Sequence, residues 1–153
     1  MKSLENRIPP PILVVICGAG MWGLAQFGPS IPLGRPARLG IGVAVCVLGV
    51  LVLAAGFLAF RNARTTIDPV NIGRASSLVR TGIFRLTRNP MYVGFTVMLL
   101  GWAVVLGGIW TMLGPMLFAM FITRFQIVPE ERVMLEKFGS EYAAYRASTR
   151  RWL

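Results

Sequence analysis

Long apolar stretches separate short charged segments along this 153-residue chain. No charged residue occurs between Arg7 and Arg35, and 39–60 is a run of 22 residues without a charge. A helix needs about 20 apolar residues to cross the roughly 30 Å hydrocarbon core of a bilayer. The pattern therefore predicts transmembrane helices at about 12–27 and 39–60.

A cleaved signal peptide is the alternative interpretation of the first apolar stretch. The basic segment before this stretch also contains Glu5, and three consecutive prolines follow at 9–11. No small-x-small cleavage site comes after the apolar stretch. We therefore expect this stretch to be retained as the first helix.

A second pair of spans is predicted between Arg88 and Arg124, where 35 residues carry no charge. One continuous helix of this length would be about 52 Å long, which exceeds the hydrocarbon thickness. Gly107 and Gly108 stand at the midpoint and favour a tight turn. The pattern predicts a helical hairpin with spans at 92–106 and 109–125.

Positive charges predict how these four spans are oriented. Only Arg35 and Arg38 lie on one side of the membrane in this arrangement. The fourteen other basic residues fall in the N-terminus, the middle loop between the second and third spans (61–91) and the tail: Lys2, Arg7, Arg61, Arg64, Arg74, Arg80, Arg85, Arg88, Arg124, Arg132, Lys137, Arg146, Arg150 and Arg151. Because cytoplasmic segments are enriched in Lys and Arg, both termini are predicted to be cytoplasmic.

The tail is predicted to form an amphipathic helix at 130–149. Pro129 followed by two glutamates is typical of a helix start, because carboxylates favour the positive end of the helix dipole. Apolar and aromatic residues then recur at helical spacing, and Gly139 is placed to break the helix into two pieces. The predicted fold is all-α: a single domain over 1–153, built as an integral membrane bundle of about four spans with a cytoplasmic tail helix.

Composition excludes several classes of protein. The chain is 55% hydrophobic, 14% charged and has a mean hydropathy of +0.64, which is too apolar for a soluble domain of this size. The net charge is +10, but the basic residues flank apolar stretches and do not form a basic surface on a soluble domain, so nucleic-acid binding is not expected. There is no His, and Cys17 and Cys46 lie inside apolar stretches, so we expect no metal site and no disulfide.

A glycine pattern at Gly18, Gly20 and Gly23 matches the G-x-G-x-x-G of dinucleotide-binding proteins. That motif functions between a strand and a helix, whereas here it falls within a predicted transmembrane helix. Small residues for close helix packing are the interpretation that fits its position.

Polar residues that are able to bind a ligand or take part in catalysis are concentrated in two stretches, LVRTGIFRLTRNPMYVGF (78–95) and PEERVMLEKFGSEYAAYRASTRRWL (129–153). Each has a purely structural interpretation. Arg88 and Tyr92 suit a membrane–water interface, and Glu130 with Glu131 suits an exposed helix start. The predicted hairpin nevertheless brings both stretches to the same side of the membrane, where one soluble ligand can reach them.

Together these stretches resemble the isoprenylcysteine carboxyl methyltransferase family, an integral-membrane group that uses S-adenosyl-L-methionine. The family pattern is roughly L-V-x-x-G-x-[YF]-x-x-x-R-[HN]-P-x-Y followed by E-E-x-x-L-x-x-F-G-x-x-Y-x-x-Y. NPMYVGFTVMLLGWA (89–103) also resembles the related phospholipid N-methyltransferases. The resemblance covers about half of the chain.

The resemblance implies a set of site residues. The cofactor-binding positions it implies are Leu78, Val79, Gly82, Phe84, Asn89, Pro90, Met91, Tyr92 and Glu130. The catalytic group comprises Arg88, Asn89, Tyr92 and Glu131. Asn89 stands where the prenylcysteine enzymes usually have His, and Gln126 stands where they have a substrate-associated Arg. The nearest cation is Arg124, so Arg124 and Gln126 are the predicted substrate residues.

The predicted activity is methyl transfer from S-adenosyl-L-methionine to a membrane lipid or lipidated acceptor, most like isoprenylcysteine-type carboxyl O-methylation. A carboxylate acceptor needs no general base, which suits a chain without His. The alternatives are a phospholipid N-methyltransferase and a non-catalytic membrane scaffold. A transporter is disfavoured because the predicted spans carry no charge at their centres.

Overall fold

The computed structural model describes residue 5 and residues 7–63 and 77–153, and its regular elements are helices. The predicted all-α fold is confirmed for these residues. Lys2, Arg64 and Arg74, which contribute to the predicted orientation, lie outside them. The α-helices are α1 (Pro10–Leu24), α2 (Arg35–Asn62), α3 (Pro90–Leu106), α4 (Leu113–Ile122) and α5 (Val128–Ser148).

Two helical stretches are long and apolar enough to cross a membrane, namely Arg35–Asn62 and Ile109–Ser148. Helices α1 and α3 are apolar but shorter. These features agree with the predicted helical membrane protein, whereas the number of spans and the cytoplasmic placement of both termini stay predictions. The first helix begins earlier than expected because proline is well accommodated in a first helical turn.

The predicted hairpin is confirmed at Gly107 and Gly108. Helix α3 ends at Leu106, and Gly107 caps it in the left-handed conformation at φ 74°, which glycine adopts without steric cost. The link between α1 and α2 lies beside this turn, because Ile31 N donates to Gly107 O over 2.7 Å. The α1–α2 link and the hairpin turn therefore occupy the same end of the bundle.

Helices α2 and α3 approach each other through glycines. A Cβ added at Gly101 would lie 2.7 Å from Cys46 N and 2.7 Å from Gly42 O. One added at Gly49 would lie 2.7 Å from Gly94 O. Because the obstructing atoms are backbone, the two helices have no room for a larger residue at these positions. By contrast, the G-x-G-x-x-G residues lie within α1, and a Cβ added at Gly20 or Gly23 would meet nothing within 4 Å. The close helix packing predicted for this pattern is therefore wrong at these two glycines.

Gly101→Ala is therefore expected to destabilise the bundle by about 1–3 kcal/mol, a cost typical of overpacking a close contact. Gly20→Ala is the matched control, since it adds the same methyl group to an open helix surface. Thermal unfolding of the two variants in detergent measures the difference. Equal melting temperatures would contradict the close α2–α3 contact.

The second arm of the hairpin runs without a break into the tail helix. A 3-10 turn at Ile109–Met112 leads into α4, and a π-helical turn at Thr123–Ile127 joins α4 to α5. The predicted interruption at Gly139 is confirmed by its backbone angles, φ 50° and ψ −123°. This continuous stretch carries the Glu130 and Glu131 side chains to the start of α3.

Candidate active site

Tyr92 and Glu130 are in direct contact. Tyr92 is buried in the first turn of α3, at the edge of the core shared by α1, α3 and α4. Its hydroxyl donates a 2.5 Å hydrogen bond to Oε1 of Glu130, which is half-buried in the first turn of α5. The two stretches predicted to converge are thus joined by this side-chain contact.

The Glu130 carboxyl group has an unusual proton affinity. Its pKa is raised to about 7. Burial is the main cause; the hydrogen bond from Tyr92 lowers the pKa, and the negative charge of Glu131 raises it. Glu130 follows Arg124 in the chain and lies outside the predicted span 109–125. Because its pKa is about 7, the Glu130 carboxyl group changes charge close to neutral pH.

Glu131 is held between two arginines. Arg151 donates from Nε to Oε1 over 2.9 Å and from Nη2 to Oε2 over 2.7 Å, while Arg88 Nη2 donates to Oε1 over 2.8 Å. Burial alone would raise the pKa of Glu131, but these hydrogen bonds and charges outweigh it and the pKa is lowered. The two adjacent carboxyl groups consequently differ, with Glu131 ionised at neutral pH.

The Arg88 guanidinium donates hydrogen bonds to other groups of the protein. Besides Glu131, it donates from Nη1 to the carbonyls of Arg146 (2.8 Å) and Thr149 (2.9 Å), and its side chain is 8% exposed. Its backbone N–H donates to Arg150 O over 2.9 Å. The Arg88 side chain therefore ties the middle loop to α5 and the end of the chain.

Asn89 is also tied to the end of the chain. Its Nδ2 donates to Arg151 O over 2.9 Å, and the buried Thr87 hydroxyl donates to the same carbonyl over 3.2 Å. The Asn89 backbone is outside the α region at φ −130°, as predicted from the following Pro90. Residues 149–153, hereafter the C-terminal segment, thus contact the beginning of α3.

The remaining predicted cofactor residues lie in the loop before α3 and in its first turn. Val79 and Phe84 are buried, and the Tyr145 hydroxyl donates to Phe84 O over 2.7 Å. Pro90 and Met91 lie against Gly56 of α2. Leu78 is half-buried, and Gly82 is exposed at φ 60° at the start of a 3-10 turn.

The predicted substrate residues lie on the π-helical turn. The Arg124 guanidinium is 3.8 Å from the Glu5 carboxylate, and Gln126 Nε2 donates to Ile8 O over 2.8 Å. Gln126 is 2% exposed, and its Oε1 has no hydrogen-bond partner among the described residues. Turns of this kind inside helices are frequent at functional sites.

Sequence reasoning gave no role in the site to Arg151, Thr87 or Tyr145, although all three lie in the two polar stretches. A signal for Arg151 was present, since the second stretch ends in RRWL. No group of three or more metal-ligating side chains forms a candidate metal site in the described part of the chain.

Comparison with known proteins identifies the family to which the chain is similar. Residues 37–141 match the phospholipid methyltransferase family. An uncharacterised protein of Haemophilus influenzae is 41% identical over 63 residues, which cover 41% of this chain and 100% of that protein. No solved structure matches the chain.

Two relatives have names that state an activity. Protein-S-isoprenylcysteine O-methyltransferase A of Arabidopsis thaliana is 28% identical over 110 residues, covering 70% of this chain and 54% of that protein. Protein-S-isoprenylcysteine O-methyltransferase of Schizosaccharomyces pombe is 35% identical over 72 residues, covering 45% of this chain and 29% of that protein. The chain therefore spans about half of the first enzyme's length and less than a third of the second's.

Proposed function

Because the chain belongs to the phospholipid methyltransferase family, we propose that it transfers a methyl group from S-adenosyl-L-methionine to an amphiphilic acceptor held in the membrane. The observation that carries this proposal is the Tyr92–Glu130 contact, which lies where α3 and α5 begin. It provides a carboxyl group able to bind a cation beside a surface that an apolar acceptor can approach.

The site suits this cofactor chemically. The donor carries a sulfonium, an ammonium and a carboxylate group. Glu130 is the candidate partner for the positive groups because Glu131 is already bound to Arg88 and Arg151. Tyr92 offers an aromatic ring, which also favours a cation. Asn89 lies beside this contact, whereas Pro90 and Met91 pack against Gly56 of α2.

The sulfonium supplies the reactivity, since its methyl carbon is attacked by the acceptor while its bond to sulfur breaks. The protein's contribution is alignment and the exclusion of water. Correct alignment contributes up to about 7–11 kcal/mol to lowering a barrier, and a water-poor site strengthens the electrostatic interactions within it. Tyr92 orients the Glu130 carboxyl group, and the apolar walls of α1 and α3 exclude water.

Carboxyl O-methylation, of the kind named for the Arabidopsis and Schizosaccharomyces relatives, is the preferred reaction. A carboxylate acceptor is already nucleophilic, so Glu130 stays available to the cofactor. Phospholipid N-methylation is the second candidate because Glu130, with a pKa of about 7, can remove a proton from an ammonium acceptor. In that case Glu130 would serve the acceptor instead.

Incubating the purified protein with methyl-labelled S-adenosyl-L-methionine and a panel of prenylcysteines, fatty acids and phospholipids tests the proposal. Label released as methanol by mild base identifies an ester, and label retained identifies an N-methyl product. A non-catalytic scaffold would transfer no label to any acceptor and would not bind the cofactor.

The affinity for S-adenosyl-L-methionine is expected to fall as the pH is lowered. Since burial raises the pKa of Glu130 to about 7, the carboxyl group is neutral at lower pH and cannot attract the cation. The dissociation constant should be about five to ten times larger at pH 6 than at pH 7.5. Isothermal titration calorimetry measures it, and an unchanged constant would contradict the role of Glu130.

A further inference from the structure

The C-terminal segment contacts several parts of the candidate site. Its carbonyls accept hydrogen bonds from Arg88, Thr87 and Asn89, and Trp152 Nε1 donates to the Thr123 hydroxyl over 3.2 Å. Arg151 joins this segment to the site by a charged side-chain contact, the pair of hydrogen bonds to Glu131. That pair occupies both carboxylate oxygens of Glu131.

We propose that Arg151 is a positioning residue, which fixes the Glu131 carboxylate against Arg88 and neutralises the charge beside Glu130. This inference rests on the proposed function. Two hydrogen bonds in a planar arrangement fix a carboxylate more firmly than one. With Arg151 absent, Arg88 would retain one short contact to Oε1, and Oε2 would lose its partner.

The consequence for Glu130 is electrostatic. The titratable groups that interact with Glu130 are Tyr92 of α3 and Glu131 and Tyr142 of α5. Arg88 of the middle loop and Arg151 of the C-terminal segment both donate hydrogen bonds to Glu131, and Arg146 of α5 interacts with Tyr142. Glu131 is the negative charge among them that disfavours ionisation of Glu130. Arg151 offsets this charge, so its removal should leave Glu130 neutral at pH values where it is normally ionised.

The test compares Arg151→Met, Arg151→Lys and Arg150→Met in full-length protein. The dissociation constant for S-adenosyl-L-methionine is measured from pH 6 to pH 8 and divided by the wild-type constant at the same pH. For Arg151→Met we expect binding about two- to fivefold weaker at pH 6.5 and within about twofold of wild type at pH 8. The effect is modest because the Arg151 side chain is 34% exposed and screened by solvent.

The other variants separate charge from structure. Arg151→Lys keeps the charge and should fall between Arg151→Met and wild type, and it also covers the case in which Arg151→Met does not fold. Arg150→Met removes an exposed neighbouring charge and should follow the wild type. A ratio for Arg151→Met that is the same at every pH, or that stays at one, would overturn the proposal. Absence of cofactor binding by the wild type would overturn the proposed function, and this inference with it.

Discussion

Arg88→Met is expected to destabilise the folded protein by about 2–4 kcal/mol, somewhat less than the cost of removing one partner from an isolated buried ion pair, because Arg151 still donates to Glu131. The Arg88 and Glu131 side chains are 8% and 9% exposed, so water cannot replace the lost contact. The variant also leaves the carbonyls of Arg146 and Thr149 without this donor. Unfolding in a denaturing detergent, followed by tryptophan fluorescence, measures the change.

Arg80→Met is the matched control for this prediction. Arg80 also pairs with a glutamate, Glu141, at 3.0 Å, but both side chains are 49% exposed. Exposed pairs contribute about 0–1 kcal/mol, so this variant should unfold close to the wild type. If Arg88→Met were as stable as Arg80→Met, Arg88 would not be the structural link described above.

Glu130→Gln is expected to weaken S-adenosyl-L-methionine binding at pH 7.5 while leaving the fold intact. The amide keeps the shape of the carboxyl group and can still accept from Tyr92, but it cannot carry a negative charge. A hydrogen bond to a charged group contributes about 1.5–3 kcal/mol, which corresponds to an affinity loss of about tenfold to a hundredfold. Calorimetry with the purified variant measures this loss.

Glu136→Gln provides the control, because Glu136 is an exposed carboxylate on the same helix. It removes an equal charge from α5 and should change the affinity little. The pH dependence should also disappear in Glu130→Gln and persist in Glu136→Gln. Equal affinities for the two variants would place the cofactor away from Glu130.

Several features were predictable because single residues determine them. Gly107 and Gly108 interrupt an apolar stretch too long for one span, and the structure turns there. Pro90 restricts the residue before it, and Asn89 is indeed non-helical. Gly139 breaks the tail helix, as its position among helix-forming residues indicated. The contact between Tyr92 and Glu130 follows from the hairpin, which returns the chain to its starting end.

Other features depend on contacts between distant residues and left no local signal. The π-helical turn at Thr123–Ile127 has no sequence pattern of its own, yet it joins α4 directly to the helix that carries Glu130 and Glu131. The partners of Arg88 are carbonyls and a carboxylate 43 to 61 residues away. From the sequence, Arg88 suited either a membrane–water interface or the catalytic group.

The central claim is that residues near Tyr92 and near Glu130 together form the binding site of a methyl donor. Ultraviolet crosslinking of methyl-labelled S-adenosyl-L-methionine to the wild-type protein, followed by peptide mapping, tests it most directly. We expect label on peptides from 78–95 and 124–134, displaced by excess S-adenosylhomocysteine and lost in Glu130→Gln. Displaceable label confined to α1 or α2, or no displaceable label at all, would contradict the claim.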